Sequence, residues 1–217
     1  MCMCVYMQVN VGDLNGVSKA TSSIVVRRVT QAIARLATDV VCCPSTRAEQ
    51  AEVMRGFHDI AQFPGIIGAI DCTHVPVQSP GGDDAELFRN RKGYFSLNVQ
   101  AVSSSDLKFS NVVSRWYGSA HDATIFAHSR LRARFESGEF GRGYLLGDAG
   151  YPSKPYLLTP ISTPITAAEQ RYNAAHILSR NVVERAFGVV KRRFPCLRYG
   201  LRVKVFSGAQ IKFRAKC

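Results

Sequence analysis

Residues 66–77, IIGAIDCTHVPV, are nearly all apolar or β-branched and include one acid, Asp71. A run of this kind is typical of a strand buried inside a sheet. An ionised carboxylate in such a strand is costly to desolvate unless it is paired or bound to a metal ion. The run therefore predicts a core strand carrying an acid that needs a partner, with a purely structural acid as the alternative.

The sequence after this strand alternates between strand and helix patterns. Runs over 94–103 and 107–116, with a turn at 104–106, predict a three-strand meander. Ser119 is predicted to cap a helix that has Asp122 at its third position and runs through His128. A short strand at 144–146 and a helix over 181–194 follow. This order predicts an α/β fold, a mixed sheet flanked by helices.

Residues 11–36 predict a short helix end, a turn at Asn15-Gly16 and a helix capped by Ser18. Its exposed face would carry basic side chains, as a helix lying against DNA does: Lys19, Arg27, Arg28 and Arg35. We therefore predict a partial helix-turn-helix segment over 1–45. An amphipathic helix packed on the main domain is an equally good interpretation.

The net charge of +12 is concentrated in the last third of the chain. Residues 149–217 contain 13 Lys or Arg and 2 Asp or Glu, a net charge of +11. Such a density favours a polyanionic partner, because each neutralised phosphate releases counterions. A merely solvated basic surface is the alternative. No stretch predicts a membrane span, and seven cysteines, an odd number without zinc spacing, indicate reduced intracellular thiols.

Two further acids are predicted to join Asp71. Asp148 ends an apolar strand, where ligands often bind in α/β sheets, although its D-A-G setting is also an ordinary turn. Glu184 would lie beside an apolar helix stripe, with Gly188 one turn on leaving space for metal or substrate. That predicted stripe is Val183, Phe187, Val190 and Phe194. Acids converging from separate elements are what a two-metal phosphodiester site requires.

The neighbours of Asp71 are expected to point elsewhere. Successive side chains of a strand alternate between faces. Cys72 and His74 should therefore face away from Asp71, which makes His74 a structural residue rather than a ligand of the same ion.

Five segments occur in a fixed order: GAIDCTHVPV, NRKGYFSLNVQAV, WYGSAHDATIF, LLGDAGYP and NVVERAFGVVKRRFPCLR. In these segments the chain resembles the Harbinger (PIF/Harbinger) transposases and their nuclease-like derivatives, in the DDE superfamily. The resemblance implies an RNase H-like domain, DNA as substrate and a divalent cation, Mg²⁺ or Mn²⁺, bound by Asp71, Asp148 and Glu184. Asp122 lies in another motif of the family, S-x-H-D, and is the reserve metal ligand.

The resemblance further implies a nuclear location, with the cytoplasm as a second one, and a Myb-like DNA-binding partner protein. The nuclease domain is expected over 46–205, followed by an atypical basic tail over 206–217. Because both ends depart from the family pattern, we expect a truncated relative. The main prediction is a metal-dependent DNA endonuclease; the alternative is an inactive DNA-binding or adaptor protein. The predicted DNA contacts are Arg185, Lys191, Arg192, Arg193, Lys19, Arg27 and Arg28.

Overall fold

The computed structural model describes residues 12–201; residues 1–11 and the predicted tail over 206–217 lie outside that range. The elements in chain order are α1 (Lys19–Val40), α2 (Arg47–Ala61), β1 (Ile66–Pro76), a 3-10 helix (Asp83–Phe88), β2 (Ser96–Ser103), β3 (Phe109–Tyr117), α3 (Asp122–Ala127), α4 (Arg130–Glu136), β4 (Tyr144–Leu146), β5 (Leu157–Leu158), α5 (Ala167–Arg193) and α6 (Cys196–Tyr199).

The five strands form one mixed sheet in the order β3-β2-β1-β4-β5. The first three strands are antiparallel, as the predicted meander requires, whereas β1 pairs with β4 and β4 with β5 in parallel. The segment that opens with Ile66 is therefore the middle strand, which explains its unbroken apolar pattern. The α/β prediction is confirmed, and the architecture is consistent with an RNase H-like fold.

Two apolar layers cover the two faces of this sheet. Ile66 belongs to the layer formed with Phe57 of α2 and Val183 of α5, whereas Ile67 packs with Phe126 of α3 and Phe135 of α4. Adjacent residues of β1 feed opposite layers because side chains alternate along a strand. The sheet thus has α2 and α5 on one face and α3 and α4 on the other.

Helix α5 is longer than the predicted 181–194 segment. It begins after a capping box in which Thr166 and Glu169 satisfy each other's backbone N–H groups. Its buried residues are His176, Ser179, Val182, Val183 and Ala186. The predicted stripe is correct at Val183 and wrong at Phe194, which is 54% exposed at the position where the helix has ended.

The predicted cap of the helix containing Asp122 is wrong. The helix begins at Asp122 itself, with His121 as N-cap and no side-chain cap hydrogen bond. The Ser119 N–H donates instead to the Leu87 carbonyl at 3.1 Å, which holds this serine in the preceding turn. A second short helix, α4, follows and was not predicted; Ser129 caps it.

The N-terminal helix begins where predicted, because the Ser18 hydroxyl accepts a hydrogen bond from the Thr21 N–H at 3.1 Å. The alternative interpretation required the apolar residues of this helix to pack on the main domain. They do not, because Val29, Ile33 and Leu36 are each more than half exposed. The predicted partial helix-turn-helix is not confirmed. Within residues 12–201 we find no helix with the length and apolar character needed to span a bilayer.

Candidate catalytic site

Asp71 lies in the middle strand, and its carboxylate has the partners that its location demands. Oδ1 accepts a hydrogen bond from the Cys72 backbone N–H at 2.7 Å, and Oδ2 lies 3.1 Å from Nη1 of Arg180. Its side chain is only 17% exposed. The acid is therefore paired, as the desolvation argument predicted.

Asp148 follows the neighbouring parallel strand at the same level. In the β1–β4 register Ala69 pairs with Leu146, so Asp71 and Asp148 each stand two residues beyond this pair. The Asp148 Oδ1 accepts a hydrogen bond from the Gly150 N–H at 3.0 Å, which forms the turn that the D-A-G sequence predicted. Asp148 therefore lies just beyond the end of β4 and is also part of a turn.

The pKa of Asp71 reflects both its burial and the acidic side chains near it. Burial raises the pKa of Asp71 from 3.8 to about 6, mostly by desolvation of the carboxylate. The Cys72 N–H and the Arg180 charge lower this pKa, whereas Asp148 and Asp122 raise it. Asp148 and Asp122 are thus each close enough to repel the Asp71 carboxylate.

Glu184 is joined to Asp71 through Arg180. Nη2 of Arg180 lies 2.5 Å from Oε1 of Glu184, one helical turn further along α5. The Glu184 side chain is 51% exposed. The sequence could not reveal the bridge from Arg180 to Asp71, because that contact spans 109 residues.

The opposite face of β1 carries a separate polar network. Sγ of Cys72 lies 3.4 Å from the Tyr151 hydroxyl, which also accepts a hydrogen bond from Nε2 of Gln100 at 3.1 Å. Nδ1 of His74 lies 3.0 Å from Oγ of Ser96. Cys72 and His74 therefore face away from Asp71, as predicted. Burial raises the pKa of both Cys72 and Tyr151, so neither group is an ionised nucleophile at neutral pH.

Asp122 approaches β1 from the side of α3. Its Oδ1 accepts a hydrogen bond from Nδ2 of Asn98 at 2.8 Å, and its backbone carbonyl accepts one from Nε2 of Gln100 at 3.2 Å. Two side chains of β2 thus fix the start of α3. The reserve metal ligand is held near Asp71, on the side opposite α5.

The predicted DNA contacts fall into two groups. Six of them have exposed side chains, on α5 and on α1: Arg185, Arg192, Arg193, Lys19, Arg27 and Arg28. Lys191 differs, because its Nζ donates to the His74 carbonyl at 3.0 Å. Burial lowers the pKa of Lys191, and the positive charges of Lys92 and Arg198 lower it further. These two neighbours form a basic cluster with Lys191 that the sequence did not predict.

The acidic side chains of this site are the right chemical type to bind a divalent cation, but their positions in the structure do not yet form a binding site. Mg²⁺ and Mn²⁺ favour carboxylate oxygens, and the repulsion that Asp148 and Asp122 each exert on Asp71 is what such a cation would relieve. Within residues 12–201, however, no three acidic, histidine or cysteine side chains are placed to share one ion. Arg180 instead forms ion pairs with both Asp71 and Glu184.

Comparison with known proteins agrees with this site. A family model described as DDE superfamily endonuclease matches residues 70–216, which include all the acids discussed. The human protein named "Putative nuclease HARBI1" is 35% identical over 190 residues, covering 88% of this chain and 54% of that protein. The mouse protein of the same name is 36% identical over the same length.

A plant relative is more distant. The Arabidopsis thaliana protein named "Protein ALP1-like" is 26% identical over 199 residues, covering 85% of this chain and 48% of that protein. The chain thus spans about half the length of the curated relatives it matches. No solved structure matches it significantly. From the family match over most of its length, the chain belongs to the DDE superfamily endonucleases, and it is similar to the Harbinger transposase-derived nucleases.

Proposed function

We propose that this chain is a divalent-metal-dependent nuclease that hydrolyses DNA phosphodiester bonds through Asp71, Asp148 and Glu184. The observation that carries this proposal is the position of Asp71: it lies level with Asp148 on the neighbouring strand and is linked to Glu184 by one guanidinium. The family match over 70–216 supports a nuclease.

The three acids differ in how firmly they are held. Asp71 stands on the middle strand and Asp148 in a turn closed by the Gly150 N–H, so rigid backbone fixes both. Glu184 is half exposed on α5 and is held there by its ion pair with Arg180. Asp71 and Asp148 would hold Mg²⁺ or Mn²⁺, and Glu184 would complete the set. When bound, the cation supplies charge neutralisation at the phosphate and an activated water.

DNA is the proposed substrate, and the exposed arginines of α5 are the proposed contacts to its backbone. Arg185, Arg192 and Arg193 follow Glu184 along the same helix, so a DNA strand held by them passes close to Glu184. Arginine recognises phosphate through its planar fork of donors. We extend the proposal to action in the nucleus together with a Myb-like DNA-binding partner, as the Harbinger resemblance implies.

A nicking assay tests the proposal. The purified chain is incubated with supercoiled plasmid and either Mg²⁺ or Mn²⁺, and conversion to open circles is followed. We expect Asp71→Asn, Asp148→Asn and Glu184→Gln each to lower the rate by at least about a hundredfold, as loss of a group needed in the transition state does. Glu52→Gln, an exposed acid of α2, is the charge-matched control. Equal nicking by parent and acid variants would overturn the assignment.

A second function, a DNA-binding or adaptor protein with an unused nuclease site, is favoured by one observation. Arg180 already pairs with carboxylate oxygens of Asp71 and Glu184. In the described part of the chain, no three acidic, histidine or cysteine side chains are placed to hold one metal ion. Titration calorimetry separates the two functions. Tight DNA binding without heat from Mn²⁺ would favour the adaptor, whereas Mn²⁺ binding lost in Asp71→Asn would favour the nuclease.

A further inference from the structure

Arg180 makes a contact that joins two of the proposed catalytic acids. Nη1 of its guanidinium lies 3.1 Å from Oδ2 of Asp71, and Nη2 donates to Oε1 of Glu184. The Arg180 side chain is 21% exposed, so the group is largely withdrawn from water. A planar guanidinium can satisfy two carboxylates at once because its donors point in fixed directions.

An ordinary stabilising ion pair is the alternative interpretation of this contact. Other pairs in the molecule have that form: Arg132 pairs with Glu136, and Arg134 with Glu139, each joining one base to one acid a few residues away. Arg180 instead connects a helix to the middle strand and divides its fork between two acids. Its target oxygens are those that the proposed function reserves for a cation.

We propose that Arg180 is a positioning residue: it holds Asp71 and Glu184 in the metal-free protein, releases them when a divalent cation binds, and then pairs with a DNA phosphate. This inference rests on the proposed nuclease function. Carboxylate oxygens engaged by a guanidinium are poor ligands for a second cation, and the two positive groups repel each other. The exchange therefore removes Arg180 from at least one of its acids.

A released guanidinium at the rim of this site has phosphate as its natural partner, because arginine binds phosphate through the same donors that bind carboxylate. Arg185 lies further along the same helix and continues the basic surface. Cation and DNA binding should then strengthen each other, because each favours the state in which Arg180 has left the acids. Coupling of this kind is reciprocal and can be measured.

Titration calorimetry of the full chain with Mn²⁺ tests the inference, in the absence and presence of a short nuclease-resistant phosphorothioate duplex. For the parent, we expect the duplex to strengthen Mn²⁺ binding. For Arg180→Gln, we expect Mn²⁺ alone to bind about tenfold more tightly, because one charge-assisted contact no longer competes. In this variant the duplex should strengthen Mn²⁺ binding by a smaller factor than in the parent, because only the direct contact between cation and phosphate still couples the two.

Two further variants control the experiment. Arg171→Gln removes the same charge from an exposed position of the same helix and should behave as the parent does. Arg180→Lys keeps the charge but cannot span both acids, so we expect Mn²⁺ to bind more tightly than in the parent by a smaller factor. The Lys variant serves as the measurement if Arg180→Gln does not fold.

The outcomes separate this inference from the proposed function. If Asp71→Asn and Glu184→Gln weaken Mn²⁺ binding while the Arg180 variants bind no more tightly than the parent, or retain the full effect of the duplex, the role of Arg180 is wrong and the metal site stands. If the parent binds no Mn²⁺, or the acid variants bind it as the parent does, the nuclease proposal fails and the role of Arg180 fails with it.

Discussion

Nη1 of Arg180 lies 3.1 Å from Oδ2 of Asp71, and this contact ties the longest helix to the middle strand at a proposed catalytic acid. The contact offsets only part of the effect of burial, because the pKa of Asp71 remains raised to about 6. At neutral pH Asp71 is therefore ionised in the metal-free protein, although the fold would be more stable with this carboxyl group neutral. A site kept for function often destabilises the fold in this way.

Asp71→Asn is expected to stabilise the metal-free protein at pH 7.5. The native pKa near 6 lies above the ordinary 3.8, so the stability of the parent falls as pH rises from about 4 through 6. The neutral amide escapes this loss, and the free energy of unfolding should increase by about 1 to 3 kcal/mol. Urea unfolding at a series of pH values measures the gain, which should vanish below about pH 4.

Asp59→Asn is the matched control for that measurement, because this exposed residue of α2 loses the same charge. We expect it to change unfolding by less than about 0.5 kcal/mol at every pH. A destabilised Asp71→Asn variant at pH 7.5 would show that the ion pair with Arg180 outweighs the desolvation of Asp71.

The local pattern of the sequence predicted the strands well and the catalytic contacts less well. The predicted strand 144–146 coincides with Tyr144–Leu146, because three apolar residues between glycines leave little choice. The start of α5 was missed although Thr166 and Glu169 form a capping box readable from sequence. The predicted cap at Ser119 failed for a tertiary reason, since Asn98 of β2 binds Asp122 and fixes the helix start there.

The location of the acids was predictable, whereas their pairing was not. Asp71 and Asp148 follow from a buried strand and a strand end, both local features. The bridge through Arg180 depends on how α5 crosses the sheet, which no spacing along the chain encodes. For the same reason the bond from Lys191 to the His74 carbonyl was not foreseen.

His176 predicts a second pH dependence, of opposite sign. This residue is 1% exposed, and its Nε2 lies 3.1 Å from the Leu158 carbonyl. Burial lowers its pKa from the usual 6.5, so below that pH the unfolded chain takes up a proton that the native protein resists. The stability of the parent should fall there, by at most about 1.4 kcal/mol per pH unit from this group.

The His176→Gln variant isolates this contribution. Its difference in unfolding free energy from the parent should change with pH below 6.5 in the direction that favours the variant. His58→Gln, at an exposed position of α2, is the matched control for removal of a histidine. A difference for His176→Gln that does not vary with pH would mean that His176 takes up its proton as readily in the fold as in the unfolded chain.

Gly118→Ala should destabilise the fold by about 2 kcal/mol or more, as overpacking against atoms that cannot move does. An added Cβ would lie 2.4 Å from the Phe88 carbonyl oxygen and 2.8 Å from that of Ser96, both backbone atoms. Gly188→Ala is the contrasting variant, because nothing lies within 4 Å of its added Cβ and the residue is helical. We expect it to stabilise the protein by about 0.5 to 1 kcal/mol. Thermal unfolding of both variants checks the two signs.

Arg193→Gln should weaken DNA binding evenly across sequences and reduce the slope of log K against log salt by about one, as loss of one phosphate contact does. Lys191→Gln should reduce the slope by less, because its Nζ is already bonded to the His74 carbonyl, and because burial and then neighbouring positive charges lower the pKa of Lys191. Fluorescence anisotropy over a range of salt concentrations measures both slopes, with Arg171→Gln as the control expected to match the parent. Equal slopes for the Lys191 and Arg193 variants would mean that Lys191 leaves His74 to bind phosphate, and that β1 loses this contact when DNA binds.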